Sequence, residues 1–231
     1  MLRRKPHRLS FVIPTLNEEE GIVLTLSELP LRELKDMGFL CEVVVVDGQS
    51  VDRTRKNAER FGAQVVVEPL RGYGRAYKTG FGVVNGDIIV ALDGDSSYFP
   101  SVVPMLVRTM VKDGVDFVST DRFSLMDNDA MGFLHRFGNW VLGLSVRFLF
   151  SVRLRDSQSG MWVIRRGVLR RIMPESDGMA FSEEIKIRAF RLCKSIEIPI
   201  RYRKRVGNSK VKTIMDGLNN LFYLFQLKFS I

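Results

Sequence analysis

Short runs of uninterrupted apolar residues alternate with stretches of helical spacing over the first half of the chain. Leu9 to Ile13 is a β-type run ending at Pro14, and Asn17 with Glu18–Glu20 predicts the cap and first turn of a helix. Glu42 to Val46 is a second, valine-rich run closed by Asp47-Gly48, with Ser50 as the expected N-cap of a helix to about Phe61. Gln64–Val67, a helix near 74–83, Asp87–Leu92, a helix over Pro100–Lys112 and Asp116–Ser119 continue the pattern. Strands that are apolar throughout and separated by helices predict an α/β fold: a Rossmann-like, mostly parallel sheet covered on both faces.

From about residue 120 the alternation gives way to a more helical and more basic half. Two segments, about 134–152 and 211–231, read as amphipathic helices. In the second, Ile214, Leu218, Leu221, Phe222, Phe225 and Phe229 recur at helical spacing. Each carries charge, Arg147 in one and Lys212, Asp216 and Lys228 in the other. They are therefore expected to lie at a membrane interface rather than cross it. MLRRKPHRLSFVIP has no apolar core long enough for a signal peptide. The expectation is a single domain over 1–231 in two parts, about 9–120 and about 121–231.

Charge narrows the partner. Lys and Arg number 35 against 26 Asp and Glu, a net charge of +9, which suits a nucleotide, a nucleic acid or an anionic membrane. The two cysteines have no zinc-type spacing, and the two histidines, His7 and His135, suggest no catalytic triad.

In parallel sheets ligands bind beyond the carboxyl ends of the strands. Pro14–Glu18, Asp47–Asp52 and Asp93–Ser97 all fall there, three polar clusters on one rim. Asp93 and Asp95 stand one residue apart, and like charges that close raise each other's pKa unless a cation joins them. Mg²⁺ or Mn²⁺, which takes carboxylate together with phosphate oxygen, is the expected cofactor. The alternative is that Asp95 caps the next helix or lies in a polar turn.

With VIPTLNEEE, VVVVDGQSVDRT and ALDGDSSY in this order, the chain resembles the family-2 glycosyltransferases of GT-A fold. TDRF at 120–123, HRFGN at 135–139, DSQSGMWVIRR at 156–166, EIKIR at 184–188 and RVGNSK at 205–210 look like the dolichyl-phosphate mannose synthase and polyprenyl-phosphate hexosyltransferase branch. The resemblance implies that Pro14, Leu16, Glu18 and Asp47 hold the nucleoside. Leu16 stands where the family often has an aromatic residue and Gly48 where it often has a second Asp. Asp93, Gly94 and Asp95 correspond to the metal-binding DxD at the sugar diphosphate, with Ser97 as a further candidate ligand. Arg122 and Arg136 correspond to the pair that grips the acceptor phosphate, and Arg205 and Lys210, with Lys204 as an adjacent alternative, to an element that closes over the diphosphate. Asp156–Gly160 would shape the sugar pocket, while Glu184 and Arg188 are either site residues or a simple i,i+4 pair.

The implied reaction is transfer of a hexose from a nucleotide sugar to dolichyl or polyprenyl phosphate with inversion, serving protein or surface glycosylation. On that resemblance about 9–120 is expected to bind the nucleotide-sugar donor and about 121–231 the acceptor, with the protein held peripherally on the cytoplasmic face of a membrane. GDP-mannose is the default donor and UDP-glucose or UDP-N-acetylglucosamine the alternative. A nucleotidyltransferase would need a glycine-rich basic loop after the first strand, and IPTLNEEE is acidic. A nucleic-acid-binding domain would use the 201–210 basic run but leave the acidic clusters without a role.

Overall fold

The computed structural model describes residues 7–127, 129–207 and 213–230. Its sheet contains β1 (His7–Thr15), β2 (Phe39–Asp47), β3 (Gln64–Val67), β4 (Ile88–Ala91), β5 (Phe117–Met126), β6 (Trp162–Arg165) and β7 (Ser195–Tyr202). The spatial order is β3-β2-β1-β4-β6-β5-β7. β6 is antiparallel to both its neighbours, and the other described pairings are parallel. The break in alternation near residue 120 is this inserted antiparallel strand.

The helices are α1 (Gly21–Ser27), α2 (Leu31–Asp36), α3 (Thr54–Arg60), α4 (Tyr73–Val83), α5 (Val103–Asp113), α6 (Phe133–Phe150), α7 (Leu169–Ile172), α8 (Phe181–Leu192) and α9 (Thr213–Ser230). One sheet face packs Phe11, Ile13, Val45 and Val90 against α1, α2, α3 and α5. The other packs Val12, Val46, Ile89 and Trp162 against α4, α7 and α8. Strands buried on both faces must be apolar at every position, which is why they read as continuous runs. A third cluster, with Leu142, Val146 and Phe150 of α6, Ile187 of α8 and Leu224 and Leu227 of α9, joins the two amphipathic helices to the domain.

Two expected helix caps are corrected. Asn17 sits in left-handed backbone, φ 51°, four residues before α1, and Ser50 precedes α3 by four residues. Their side chains join the two loops instead. Ser50 Oγ accepts from the Asn17 amide at 2.8 Å, and Asn17 Oδ1 accepts from the Val51 amide at 2.9 Å. Short polar side chains satisfy nearby backbone groups in either setting. Here they tie the β1 and β2 loops into one rim.

Candidate functional site

β2 and β4 lie on opposite sides of β1, so the crevice at the carboxyl ends of β1 and β4 is the point where the winding reverses. Asp93 and Asp95 stand there. Tyr73, at the start of α4, donates its hydroxyl to Asp93 Oδ1 at 2.9 Å. The turn before β6 presses on the same carboxylate, since a Cβ on Gly160 would lie 2.0 Å from Asp93 Oδ2. Desolvation and the neighbouring Asp95 raise the Asp93 pKa to about 6, against the pull of Tyr73, Arg122 and Arg205. Gly94 has a packing reason as well, because a Cβ there would meet Thr15 Cγ2 at 2.6 Å.

Asp95 is held from two sides. Its Oδ1 accepts from the amide of Ser97 at 3.0 Å and from the Ser97 hydroxyl. Its Oδ2 lies 3.3 Å from Arg205 Nη1, and Arg205 Nη2 donates to Glu18 Oε1. The Ser97 side chain is fully buried and engaged with Asp95, so it orients that carboxylate and is not itself presented as a ligand. Among the described residues no three His, Cys, Asp or Glu side chains converge on one point. The Asp93–Asp95 pair could therefore supply only part of a divalent cation's shell, and phosphate oxygens and water would have to complete it, as is usual for Mg²⁺.

Two cavities meet at this pair. One, of about 270 Å³, is lined by Pro14, Leu16, Glu18, Gly48, Arg71 and Tyr73 among others. The second, of about 310 Å³, is lined by Arg122, His135, Asn139, Lys204, Asp216 and Asn220 among others, and so runs between α6 and α9. Tyr73, Asp93, Asp95, Met179 and Arg205 line both. Asp47 is fully buried below the rim, where Oδ2 accepts from the Ser50 amide at 3.0 Å and lies 3.6 Å from Arg55 Nε, while Oδ1 has no hydrogen-bond partner among the described residues.

The structure does not bring Arg122 and Arg136 together as a phosphate clamp. Arg122 is buried in a fork on Asp156, Nε to Oδ2 at 2.6 Å and Nη2 to Oδ1 at 2.8 Å, and reaches the second cavity only as part of its wall. Arg136 lines a separate cavity on the outer side of α6. One residue earlier on the helix, about 100° around it, His135 faces the site. Burial, with Arg122 and Arg205 nearby, lowers the His135 pKa. Lys210 lies outside the described residues.

Asp156–Gly160 forms a turn beside the Asp93 carboxylate, and its Gln158 lines the second cavity. Lys186 is fully buried beneath it and donates to the carbonyls of Ser157 at 2.9 Å, Ser159 at 2.6 Å and Ser182 at 3.1 Å. Glu184 and Arg188 are an i,i+4 pair, Nε to Oε1 at 2.8 Å. Glu184 also accepts from the amides of Glu175 and Ser176 and from the Tyr223 hydroxyl, which ties α9 to α8.

Sequence reasoning missed Tyr73, His135 and Lys186. Tyr73 left a signal in its flanking glycines. Gly72 has φ 154° and a Cβ on Gly74 would meet Phe181 Cβ at 2.6 Å, so the chain enters α4 by a route only glycine permits. His135 and Lys186 left none, because which face of α6 or α8 turns inward is a tertiary matter.

Known proteins share the family and the fold of this chain. The family model for glycosyl transferase family 2 matches residues 10–173. A dolichyl-phosphate hexose transferase of Haloferax volcanii is 33% identical over 211 residues, which is 90% of this chain and 89% of that protein. The low-salt glycan biosynthesis hexosyltransferase Agl6 of the same organism is 32% identical over 221 residues, 94% of this chain but 52% of that protein, so the chain spans about half its length. Glucosyl-3-phosphoglycerate synthase of Mycobacterium tuberculosis, crystallised with Mn²⁺ and UDP-glucose, superposes with a TM-score of 0.77 at 22% identity, over 97% of this chain and 80% of that one. That likeness establishes the shared GT-A fold.

Proposed function

The chain belongs to glycosyl transferase family 2, and on that premise we propose that it moves a hexose from a nucleoside diphosphate sugar to a polyprenyl (dolichyl) phosphate, with inversion at the anomeric carbon. The observation that carries the reading is the second cavity. It shares the Asp93–Asp95 wall with the donor cavity, is lined by Arg122, Lys204, Arg205 and His135 as well as by Asp129 and Asp216, and runs between two helices whose outward faces are apolar. A phosphate headgroup suits such a lining and a hydrocarbon chain suits such a mouth.

In this reading Pro14, Leu16, Glu18 and Gly48 receive the nucleoside, with Asp47 beneath them. Asp93 and Asp95 would hold Mg²⁺ or Mn²⁺, which when bound neutralises charge developing on the diphosphate leaving group. Arg205, held by Glu18 and Asp95, places a guanidinium beside the same group. Tyr73 and Gly160 keep the Asp93 carboxylate in one orientation. A phosphate monoester has its second pKa near 6 and is largely dianionic at neutral pH. The acceptor is thus already a nucleophile, and His135 has only to donate a hydrogen bond that steers it toward the anomeric carbon.

The donor that the sequence resemblance favours is GDP-mannose, with UDP-glucose as the alternative. The apolar outward faces of α6 and α9 seat the protein peripherally on the membrane that contains the acceptor. Among the described residues no helix is long and apolar enough to cross a membrane. The test is incubation with a panel of labelled nucleotide sugars, Mg²⁺ or Mn²⁺ and dolichyl phosphate, counting label in the organic phase. One donor should label the lipid; no labelling from any donor would overturn the reading.

A further inference from the structure

We propose that the cavity on the outer side of α6 is a binding site for the phosphate headgroup of an anionic membrane phospholipid. This cavity, of about 410 Å³, is lined by three arginines, Arg136, Arg147 and Arg155, and by Phe133, Phe137 and Trp140 among others, with no carboxylate in its lining. It shares no lining residue with the acceptor cavity on the other side of the helix.

Two of the three arginines are not neutralised. Arg155 donates to Ser124 Oγ at 2.9 Å and lies 3.5 Å from Asp121 Oδ2, while Arg136 and Arg147 have no ion pair among the described residues. Positions 136 and 147 are eleven residues apart, about three helical turns, so their side chains rise on the same side of α6. Guanidinium groups suit phosphate oxygens, which they can bind through two parallel bonds.

The surroundings select a lipid phosphate over a soluble one. Phe133 and Phe137 stack at 6.4 Å, Phe137 and Trp140 at 6.1 Å, and with Leu144 and Phe148 they form an exposed stripe along the whole helix. Phe133 and Phe148 are 85% and 84% exposed. An isolated exposed apolar residue needs no explanation, but a contiguous stripe does. Aromatic rings at an interface with cations beside them match the boundary between acyl chains and headgroups. A single strand of nucleic acid could stack on the aromatic rings, but Leu144 and Phe148 extend the stripe beyond anything a base and its phosphate would cover.

The proposal rests on the membrane-bound reading above, and the experiment separates their failures. Full-length protein is floated with vesicles of phosphatidylcholine alone or mixed with phosphatidylglycerol, wild type against the exposed double variant Arg136→Gln/Arg147→Gln. Transfer to a short, water-soluble polyprenyl phosphate is measured in parallel. Wild type should bind the mixed vesicles more tightly, and the double variant should lose about tenfold to thirtyfold of that affinity, as two basic residues near an anionic surface give. Its melting temperature and its transfer to the soluble acceptor should match wild type. Wild type indifferent to phosphatidylglycerol, or a variant that floats as wild type does, overturns the site. So does an equal loss of transfer to the soluble acceptor, which would return Arg136 to the acceptor phosphate. Tighter binding to a single-stranded oligonucleotide than to mixed vesicles overturns it as well. If the variant loses anionic-lipid affinity while no donor is turned over, the headgroup site stands and the glycosyl-transfer reading falls.

Discussion

Arg122 lays its guanidinium across the carboxylate of Asp156 as a two-bond fork, and both side chains are buried. The Arg122 amide adds a third bond to Asp156 Oδ2 at 3.1 Å. Burial pushes the Asp156 pKa up, but the charge and hydrogen bonds of Arg122 outweigh it and leave the carboxyl below its ordinary value. The pair fastens β5 to the turn that presses on Asp93.

Arg122→Ala should therefore act first on folding. Removing one partner strands a buried charge, at a cost of about 3 to 5 kcal/mol. Denaturant unfolding should show a loss of that order. A variant as stable as wild type with only a raised acceptor KM would make Arg122 a free phosphate ligand instead.

Asp95→Asn should lower turnover by orders of magnitude with the fold retained, since it alters a carboxylate on the cavity wall and not an apolar contact. Excess chelator should act likewise on the wild type. Full activity in either case would remove the divalent cation from the proposed mechanism. Circular dichroism checks the fold.

His135→Ala should raise the acceptor KM by about tenfold, the value of a hydrogen bond to a charged group, with little change in donor KM. Arg136→Ala should leave both within about twofold for a soluble acceptor. The reverse ranking would show that the inward face of α6 has been misassigned.

The two faces of α9 should separate cleanly. Leu224 and Leu227 are buried against α6, and Leu224→Ala or Leu227→Ala should cost about 2 to 5 kcal/mol each. Leu218, Phe222, Phe225 and Phe229 are exposed, so Phe222→Ser/Phe225→Ser should reduce vesicle flotation and shift the melting temperature little. Deleting the helix would uncover the third core cluster and confuse the two effects. A large loss of stability from the serine variant would assign the outward face to folding.

Burial lowers the Lys186 pKa to about 7, against about 10.4 for the unfolded chain. Between those values the unfolded chain binds more protons, so stability from this group is greatest above the unfolded value and falls as pH drops toward about 7. Unfolding free energy should accordingly rise from pH 7 to pH 10, and Lys186→Gln should flatten that rise. A profile unchanged by the substitution would mean that Lys186 titrates normally.

The alternation of strands and helices, the rim of polar loops and the Asp93–Asp95 pair were legible in the sequence because each is a local pattern. A strand buried on both faces has to be apolar throughout, a rim loop has to be polar, and two acids one residue apart are adjacent in any backbone. The amphipathic character of α6 and α9 was legible for the same reason.

Only the tertiary structure decided how those parts face one another. Leu224 and Phe225 are equally apolar neighbours, yet the first is buried and the second half exposed, because packing on α6 sets the rotation of α9. His135 and Arg136 are also neighbours, and the rotation of α6 turns the less charged one toward the site. Arg122 read as a phosphate ligand until Asp156, 34 residues away, closed on it. Residue spacing determines which side chains share a face, but what that face meets depends on contacts between segments distant in the chain, and those form only when the sheet and its helices pack.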